Sequence, residues 1–440
     1  MSHLIKPLLG SKLPEIAYGK GMYLYDSNGK KYIDGCSGAV TANIGHGVPE
    51  VIEAIHQQMQ HISFVYRSQF TNRCAEQLAE KLHQKASSLG EYEVFFVNSG
   101  SEATETALKM VWQAAQERGE YERDIIISRQ TSYHGITLGA LALSMHEQRR
   151  KRFTKQMINV PSFPVPHCSQ CPLGKQFPAC AHACLDPLEQ LIKELGPHRI
   201  AAVITEPIVG AAGGAIVPPD GYEARLRAIC TKYQICWIDD EVMTGMGRTG
   251  KTFAVEYSDA APDIILLGKG LAAGYAPLAA VLVRSSLIDS IRKGSKVIMA
   301  GHTHCANPIS AAAGLAVLEY IDTHQLIQNA FVQGDRIKTE LTKLMHTSPL
   351  IKEVRGRGLL IGVEWNPEYI GIHGKRFTPN DLISSAFEMG MLLYPAGGAN
   401  DAALPSVIVA PALTITDQDA IEIIDWWKTW ITYLELFLEG

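Results

Sequence analysis

The sequence contains little that would suit a membrane or a nucleic acid. Its most apolar stretch, residues 201–219, is interrupted by Glu206, glycines and prolines, so we expect no membrane span. Residues 1–14 lack the apolar segment of a signal peptide. The net charge is -5, and the one basic run, Arg149–Arg152, is most simply a solvated helix end. Together with nine cysteines, these absences favour the reducing cytoplasm and argue against membrane and nucleic-acid partners.

Short apolar runs rich in Val, Ile and Phe recur through the middle of the chain and alternate with helical patterns. Such runs are typical of strands buried on both faces, so they predict a largely parallel α/β sheet. They are Val94–Val97, Ile125–Ile127, Ala201–Ile204, Ile235–Ile238, Ile264–Leu267 and Leu278–Val283. Because 440 residues exceed one ordinary core, a second lobe is expected.

The two ends of the chain have a different pattern. Near the N-terminus, the polar turn Asp26–Gly29 between apolar segments predicts a hairpin. A long helical pattern runs from Ile309 to about Met345, and Leu359–Val363 and Val407–Val409 look like strands of a smaller α+β lobe. Thr416 is expected to open an amphipathic C-terminal helix.

A strand-to-helix junction provides a candidate anion site. Ser99 and Glu102 have the spacing of a capping box at the start of a helix. The free N–H groups and positive dipole end at Gly100, with the Ser101 hydroxyl, would suit a phosphate dianion. A plain helix cap has the same pattern, so this junction gains meaning only from the residues that follow.

Two further strand ends carry an acid and a lysine. Asp239, Asp240 and Glu241 end one apolar run, and Lys269 follows another, Ile264–Leu267, after one glycine. A lysine can form a Schiff base with pyridoxal phosphate (PLP), and a nearby acid can keep the ring nitrogen of that cofactor protonated. Because side chains alternate along a strand, only alternate members of the acidic triplet can face one site.

Tyr133 and Glu206 follow two other apolar runs and could complete such a site. Tyr133, in a Tyr-His-Gly segment, could stack on a cofactor ring, although a core tyrosine would fit the same pattern. Glu206 is another acid at a strand end, within reach of a site at the sheet edge.

In their order and spacing, these segments resemble those of class III aminotransferases, the ω-type members of the fold-type I PLP enzymes. The likeness extends from the Gly21 hairpin to Pro411 and covers nearly the whole chain. Six motifs in this order are highly specific, whereas none of them would be alone. The motifs are Asn98–Ala103, Tyr133–Gly135, Glu206–Ile208, Asp240–Gly250, Leu267–Leu271 and Gly301–His304.

The resemblance implies a fold and an assembly. The family has a large domain with a mostly parallel seven-stranded sheet and helices on both faces, plus a smaller α+β domain built from both chain ends. We therefore expect an N-terminal arm and part of the small domain at 1–65, a large PLP-binding domain at 66–320, and the rest of the small domain at 321–440. The family also implies a homodimer with an active site shared between subunits, or a tetramer built from two such dimers.

Roles for individual residues follow from the same resemblance. Lys269 would bind PLP and shuttle the proton, and Asp240 would pair with the pyridine nitrogen, which makes these two the expected catalytic residues. Val242 would pack on the ring face opposite Tyr133, and Thr303 would bind the phosphate held by the neighbouring subunit. No catalytic metal is expected. The expected cofactor-binding residues are Ser99, Gly100, Ser101, Tyr133, His134, Glu206, Asp240, Val242, Lys269 and Thr303.

Departures from the family pattern bear on the substrate. Ile136 stands where ornithine-type members have a carboxylate-binding arginine, and Val407–Leu413 contains no arginine. Met243 replaces a glutamine found in many members. We expect transfer from a terminal amine or ω-amino acid to a 2-oxo acid (pyruvate or 2-oxoglutarate) by ping-pong kinetics, with Arg67 and Tyr66 as candidate substrate-binding residues. The alternative is another PLP reaction on this fold, by a racemase or epimerase, an aminomutase or a decarboxylase.

Four cysteines form a separate cluster within 165–185, a segment rich in proline and polar residues that we interpret as an exposed loop insertion. Cys168, Cys171, Cys180 and Cys184 have the spacing C-x2-C, eight residues, C-x3-C, which would suit tetrahedral zinc, with His182 as a substitute ligand. Disulfides and free thiols remain open. A metal or redox sensor built on these cysteines is a further alternative, but it would need neither Lys269 nor Asp240.

Overall fold

The chain is organised around three β-sheets. The computed structural model describes residues 3–370, 377–397 and 405–439. The strands are β1 (Ile16–Lys20), β2 (Tyr23–Asp26), β3 (Lys31–Ile33), β4 (Tyr92–Val97), β5 (Ile125–Arg129), β6 (Ser162–Phe163), β7 (Ile200–Thr205), β8 (Cys236–Asp240), β9 (Ile264–Leu267), β10 (Ala279–Arg284), β11 (Ile351–Arg357), β12 (Leu360–Trp365), β13 (Tyr394–Gly397) and β14 (Pro405–Val409).

Helices connect and cover these strands. The α-helices are α1 (Ser37–Val40), α2 (Pro49–His61), α3 (Arg73–Ala86), α4 (Gly100–Glu117), α5 (Leu138–Leu143), α6 (Glu147–Arg150), α7 (Asp186–Leu195), α8 (Tyr222–Lys232), α9 (Ser285–Lys293), α10 (Pro308–Thr323), α11 (Leu326–Thr347), α12 (Pro379–Glu388) and α13 (Asp417–Glu439). Short 3-10 helices cover Thr154–Gln156, Cys168–Gln170, Ala183–Leu185, Pro197–Arg199, Ala254–Tyr257 and Lys269–Leu271.

The largest sheet has seven strands in the order β4-β10-β9-β8-β7-β5-β6. Its pairs are parallel except those of β10, which runs antiparallel to both β4 and β9. Alternate residues of one strand enter two separate cores: Ile265 and Leu267 join one, and Ile264 and Leu266 the other. Apolar cover on both faces explains the continuous apolar runs of the sequence and confirms the predicted fold class.

All six predicted runs fall in strands of this sheet, namely β4, β5, β7, β8, β9 and β10. The seventh strand, Ser162–Phe163, has two residues, which is too short for any periodic pattern to reveal. The carboxyl ends of β5, β7, β8 and β9 meet at one edge because these strands are parallel. The connections after them therefore bring distant parts of the sequence together.

The smaller sheet is antiparallel, in the order β11-β12-β14-β13. A backbone bridge between Ile33 and Met391 joins the N-terminal segment to this part of the chain. The predicted hairpin is present as β2 and β3, with β1 added as a third strand. Among the described residues, no helix is both long enough and apolar enough to cross a bilayer.

The helical patterns expected from Ile309 to about Met345 are present as two helices, α10 and α11. They are separated at Gln325, which has a φ of 52° in the left-handed region. At the C-terminal helix, the Thr416 hydroxyl donates to the Asp419 carboxylate at 2.8 Å and its oxygen accepts from the Asp419 N–H at 3.2 Å, as expected for a helix start.

Candidate active site

One cavity of about 440 Å³ lies at the edge where the strands of the large sheet end. The segments after β4, β5, β7, β8 and β9 all contribute to its wall. Such an edge is the usual place for a ligand site in an open α/β sheet. The cavity is lined by Thr41, Asn98, Ser99, Gly100, Ser101, Tyr133, His134, Gly135, Glu206, Ala211, Asp240, Val242, Met243, Lys269, Gly274, Ala276, Pro277 and Leu278.

Lys269 stands at the end of β9 and opens a short 3-10 helix with a φ of 39°. Left-handed backbone is costly for a side chain with a Cβ, and such strain is concentrated at functional sites. Burial lowers the pKa of the Lys269 ammonium below its usual 10.5; the Arg149 charge also lowers it, whereas Asp240 and Glu206 oppose that effect. The lysine is thus poised toward the neutral amine that a nucleophile or base requires.

Asp240 is the one acid of its triplet that reaches the cavity. Its carboxylate accepts a hydrogen bond from the Val242 N–H at 3.0 Å and lies 2.8 Å from Nδ1 of the buried His134. Asp239 is fully buried, and burial raises the pKa of its carboxyl well above the usual 3.8. Glu241 turns away to accept from the Val255 N–H at 2.8 Å. Strand alternation therefore selects Asp240 as predicted.

The start of α4 forms another wall of the cavity. Ser99 caps this helix by accepting from the Glu102 N–H at 3.2 Å, while the Glu102 carboxylate accepts from the Asn98 N–H at 2.8 Å. One half of the predicted capping box, the bond from the Glu102 N–H to the Ser99 side chain, is therefore present. The other half differs, because the Glu102 carboxylate accepts from the N–H of Asn98 and not from that of Ser99. Gly100 and Ser101 line the cavity at the start of this helix, where backbone N–H groups lack intrahelical partners and can bind an anion.

Glycines let this wall approach its neighbours closely. A Cβ on Gly100 would lie 3.1 Å from a Val242 methyl group, and a Cβ on Gly135 would lie 2.6 Å from the Ser101 hydroxyl oxygen. That hydroxyl accepts the Ile136 N–H at 3.0 Å, which joins the Tyr-His-Gly loop to the helix start. Side chains larger than hydrogen would separate the two elements and open the phosphate end of the cavity.

Tyr133 and Glu206 occupy the wall formed by β5 and β7. The Glu206 carboxylate accepts from the Tyr133 N–H at 3.0 Å and from the Gly210 N–H at 2.9 Å, so it fixes the tyrosine loop. Burial raises the pKa of Glu206 above its usual value. The Arg129 guanidinium holds the same turn by donating to the Glu206 carbonyl at 2.5 Å. Sequence analysis missed Arg129, because an arginine at a strand end has no distinguishing pattern.

Three of the candidate residues lie outside this cavity within one chain. Thr303 and Tyr66 are exposed, and Tyr66 retains 56% of its accessible area. The Arg67 guanidinium donates to the Ala300 carbonyl at 2.7 Å and lies 5.1 Å from the centre of the Phe95 ring. Within this chain, none of the three therefore reaches the cavity of Lys269.

Arg149 is a residue whose position the sequence did not indicate. The basic run was interpreted as a solvated helix end, and a short helix, α6, does end at Arg150. Arg149, however, places its guanidinium carbon 4.7 Å from the centre of the Tyr133 ring. Because Tyr133 lines the cavity, this arginine stands beside it. Only the fold shows this, since fifteen residues of loop and helix lie between Tyr133 and Arg149 in sequence.

The three polar features of the cavity fit PLP. Backbone N–H groups at Gly100 match its phosphate, the Asp240 carboxylate matches its ring nitrogen, and the Lys269 amine matches its aldehyde. The buried Nε2 atom of His134 has no hydrogen-bond partner within the described chain. A buried polar atom without a partner is the kind of group that a ligand commonly satisfies.

Comparisons with known proteins agree with this geometry. A family described as aminotransferase class-III matches residues 11–431. An uncharacterized aminotransferase of Bacillus subtilis, YodT, is 46% identical over 429 residues, with 96% of each chain covered. The taurine–pyruvate aminotransferase of Bilophila wadsworthia is 32% identical over 416 residues, which cover 92% of this chain and 89% of that protein.

Solved structures are similar over almost the whole chain. A transaminase from the marine bacterium Virgibacillus has a TM-score of 0.90 at 29% identity, covering 99% of this chain and 98% of its own. An ω-transaminase from Pseudomonas jessenii in complex with PMP has a TM-score of 0.88 at 31% identity, covering 96% and 92%.

Proposed function

This chain belongs to the class III aminotransferases and is a PLP-dependent transaminase. The family drawn from the sequence motifs is thereby confirmed. We propose that its amino donor is a terminal amine or ω-amino acid. The acceptor is a 2-oxo acid, pyruvate or 2-oxoglutarate, and the reaction is ping-pong. The observation that carries the proposal is the meeting of Lys269, Asp240 and the start of α4 in one cavity.

The residues of the cavity supply the proton chemistry. Bound PLP supplies an electron sink for the substrate carbon that carries the amino group. The Lys269 amine, with its lowered pKa, would take a proton from that carbon and deliver a proton to the aldehyde carbon of the cofactor, so that the amino group stays on the cofactor. Asp240, held by His134 and the Val242 N–H, maintains a proton on the pyridine nitrogen. Since Asp240 is only 5% exposed, water would screen the attraction between its carboxylate and the protonated pyridine nitrogen little.

The donor preference rests on what the cavity wall lacks. No arginine is among the described residues that line it. Ile136, which is 56% exposed, lies beside the phosphate end through its N–H bond to Ser101. An isoleucine cannot bind a carboxylate, so a donor with a neutral end or a distant anionic group is favoured. The relative named for taurine and pyruvate uses an amine at the end of a short chain.

The acceptor still requires a cation for its carboxylate, and two arginines are available. Arg149 stands beside the cavity of its own chain, over Tyr133. Arg67, the candidate from sequence, lies with Tyr66 outside that cavity and can reach only a site of another subunit. We assign the carboxylate to Arg149, because its guanidinium lies 4.7 Å from the centre of the Tyr133 ring, which lines the cavity.

A homodimer with shared sites also belongs to this proposal. Exposed apolar side chains, among them Phe64, Phe70 and Met299, lie on segments close in sequence to Tyr66 and Thr303. Phe64 contacts His304, the neighbour of Thr303, with ring centres 6.0 Å apart. Exposed apolar groups on adjoining segments suit a subunit interface. Thr303 would then approach the phosphate end of the partner's cavity.

The reaction itself is tested with a panel of amines and 2-oxo acids. We expect an ω-amine and pyruvate to give alanine and a carbonyl product in equal amounts. Appreciable activity with 2-amino acids and none with any terminal amine would refute the donor assignment. Racemisation or carbon dioxide release without amino transfer would instead favour the alternative PLP reactions.

The acceptor site is tested by Arg149→Met and Arg67→Met, with exposed Arg152→Met as the matched control. Loss of a charge-assisted hydrogen bond worth about 1.5–3 kcal/mol should raise the KM for the 2-oxo acid about 10–100-fold in Arg149→Met. The KM for the amine should change little. The same pattern in Arg67→Met, with Arg149→Met unaffected, would move the site to the partner subunit.

Shared sites are tested by co-expressing Lys269→Ala and Thr303→Ala chains. Each variant alone lacks one part of every site, whereas a mixed dimer regains one site with both wild-type groups. Recovery of activity in the isolated mixed dimer is the expected result. A monomer in solution, or a mixed dimer as inactive as its parents, would contradict the arrangement.

A further inference from the structure

The insertion at 165–185 is a loop with almost no core of its own. Its regular structure consists of two 3-10 helices of three residues each. Residues 172–179 are all exposed. A segment of this kind buries too little apolar surface to hold a single conformation, and small cores are often stabilised by a metal or by disulfides.

All four cysteines of the insertion face one small cavity. Cys168, Cys171, Cys180 and Cys184 line a space of about 20 Å³, close to the volume of one water-sized sphere. No disulfide joins these four residues, so all four thiols remain available to a ligand in this cavity.

The nearby histidines have other partners. His167 belongs to a group with Glu353 and Glu364, whose ligand atoms lie within 4.8 Å of one another. The Arg355 guanidinium fills this group, because its Nη1 atom donates to both carboxylates at 2.7 Å. His182 Nε2 lies 2.8 Å from the Asp220 carbonyl oxygen. Among the candidate metal ligands in this part of the described chain, the thiols are therefore the ones without a charged or strong hydrogen-bond partner.

We propose that Cys168, Cys171, Cys180 and Cys184 together bind one structural zinc ion. Pairs of cysteines separated by two or three residues supply adjacent corners of a tetrahedron, and thiolates are ligands that zinc prefers. Four thiols release four protons to solvent as the ion binds, so no redox partner is needed. The zinc cavity shares no lining residue with the cavity of Lys269, so its role is structural.

Zinc binding requires a small inward movement of the side chains. Thiolates about 2.3 Å from zinc are about 3.8 Å apart. Among the described residues, no three of these sulfurs lie within 4.8 Å of one another. Rotation of a cysteine by one χ1 step moves its sulfur by about 3 Å, so rotamer changes without backbone rebuilding can close the site.

The ion would hold the insertion against the smaller sheet. Next to the first thiol pair, the Ser169 hydroxyl donates to the Glu353 carboxylate at 2.8 Å, and Gln170 donates to Glu364 at 2.5 Å. Arg355 in turn donates to the Gly213 and Gly214 carbonyls at 2.7 and 2.8 Å. Zinc bound to the cysteines would therefore also stabilise the hydrogen bonds between the insertion and the smaller sheet.

The test is elemental analysis of the intact enzyme after dialysis against a weak chelator. We expect about one zinc per chain, lost in Cys168→Ser/Cys180→Ser and retained in the matched control Cys74→Ser/Cys230→Ser. Cobalt in place of zinc should give the absorption bands of a tetrahedral thiolate site, and this reading needs no variant to fold. Metal-free enzyme with four titratable thiols in the insertion, or an intact mass lowered by disulfide formation, would overturn the proposal.

Discussion

The cavity of Lys269 and the cavity of the four cysteines are built in different ways. In the first, each polar group stands at the end of a buried strand, and backbone N–H groups hold Asp240 and Glu206 in place. In the second, the side chains project from a loop whose middle, residues 172–179, is exposed. A sheet can orient a site through its own packing, whereas a loop must obtain its order from a bound group or a neighbouring surface.

Removing the lysine amine should have the largest effect. Lys269→Ala deletes the group that binds the cofactor and moves the proton, so we expect kcat to fall by at least about 10²–10⁴-fold. The visible absorption band of the bound cofactor should change with it. The exposed Lys251→Ala serves as control and should retain both activity and band. Wild-type turnover in Lys269→Ala would break the assignment of the cavity.

Asp240→Asn should come next. The carboxamide cannot keep a proton on the ring nitrogen, and we expect kcat to fall about 10²–10³-fold in a folded enzyme, checked by circular dichroism. Asp239→Asn is the matched control. Since Asp239 does not line the cavity and burial favours the neutral form of its carboxyl by raising its pKa, a neutral amide should leave kcat of the folded variant near wild type. Equal losses in both variants would mean that the triplet acts through folding alone.

Changing the cysteines should disturb the loop and spare the sheet. In Cys168→Ser/Cys180→Ser we expect cleavage within 172–179 by a protease to become about 10-fold faster, because local order no longer depends on the ion. The kcat of the intact enzyme should change less than about twofold. Mass spectrometry of the fragments locates the cleavage. A collapse of kcat without faster cleavage would show that the two cavities are not independent.

The smallest expected effect is a pH-dependent difference in stability. Burial lowers the pKa of Lys269 in the folded apoenzyme below its pKa in the unfolded chain. When pH lies below the folded-state pKa, the folded protein holds a buried positive charge that the unfolded chain holds in water, and this difference lowers the stability of the fold. Lys269→Met should therefore stabilise the apoenzyme, by on the order of 1 kcal/mol, at neutral pH. The advantage should shrink as pH rises toward 10.5. Thermal unfolding from pH 7 to 10 measures it, and a constant difference would exclude titration of Lys269 as the cause.

Much of the fold could be predicted because buried parallel strands leave continuous apolar runs. Ile264–Leu267 was predicted residue for residue as β9, and the positions of Lys269 just after β9 and of Asp240 at the end of β8 followed directly. The two-residue strand β6 and the break at Gln325 leave no comparable pattern. Local sequence therefore specified the strand ends well and the interruptions poorly.

The parts of the site that depend on distant contacts could not be predicted. Arg149 reaches Tyr133 only because a short helix turns back over the loop. Arg129 holds the turn at Glu206 through a backbone carbonyl, which any residue would present. Thr303, Tyr66 and Arg67 remain predictions, since their roles require a second subunit.

The pairing of β4 with β10 has a consequence for synthesis of the chain. Val97 pairs with Ala279, about 180 residues later, whereas β5, β7, β8 and β9 pair with strands that follow more closely. At roughly 5–20 residues per second, a ribosome needs about 10–40 s to make that interval. During this time β4 has an open edge, and α4 cannot yet take its final place beside Lys269. The phosphate end of the site is thus the last part of the cavity to be assembled, and a nascent chain that stalls before β10 exposes an apolar strand to chaperones.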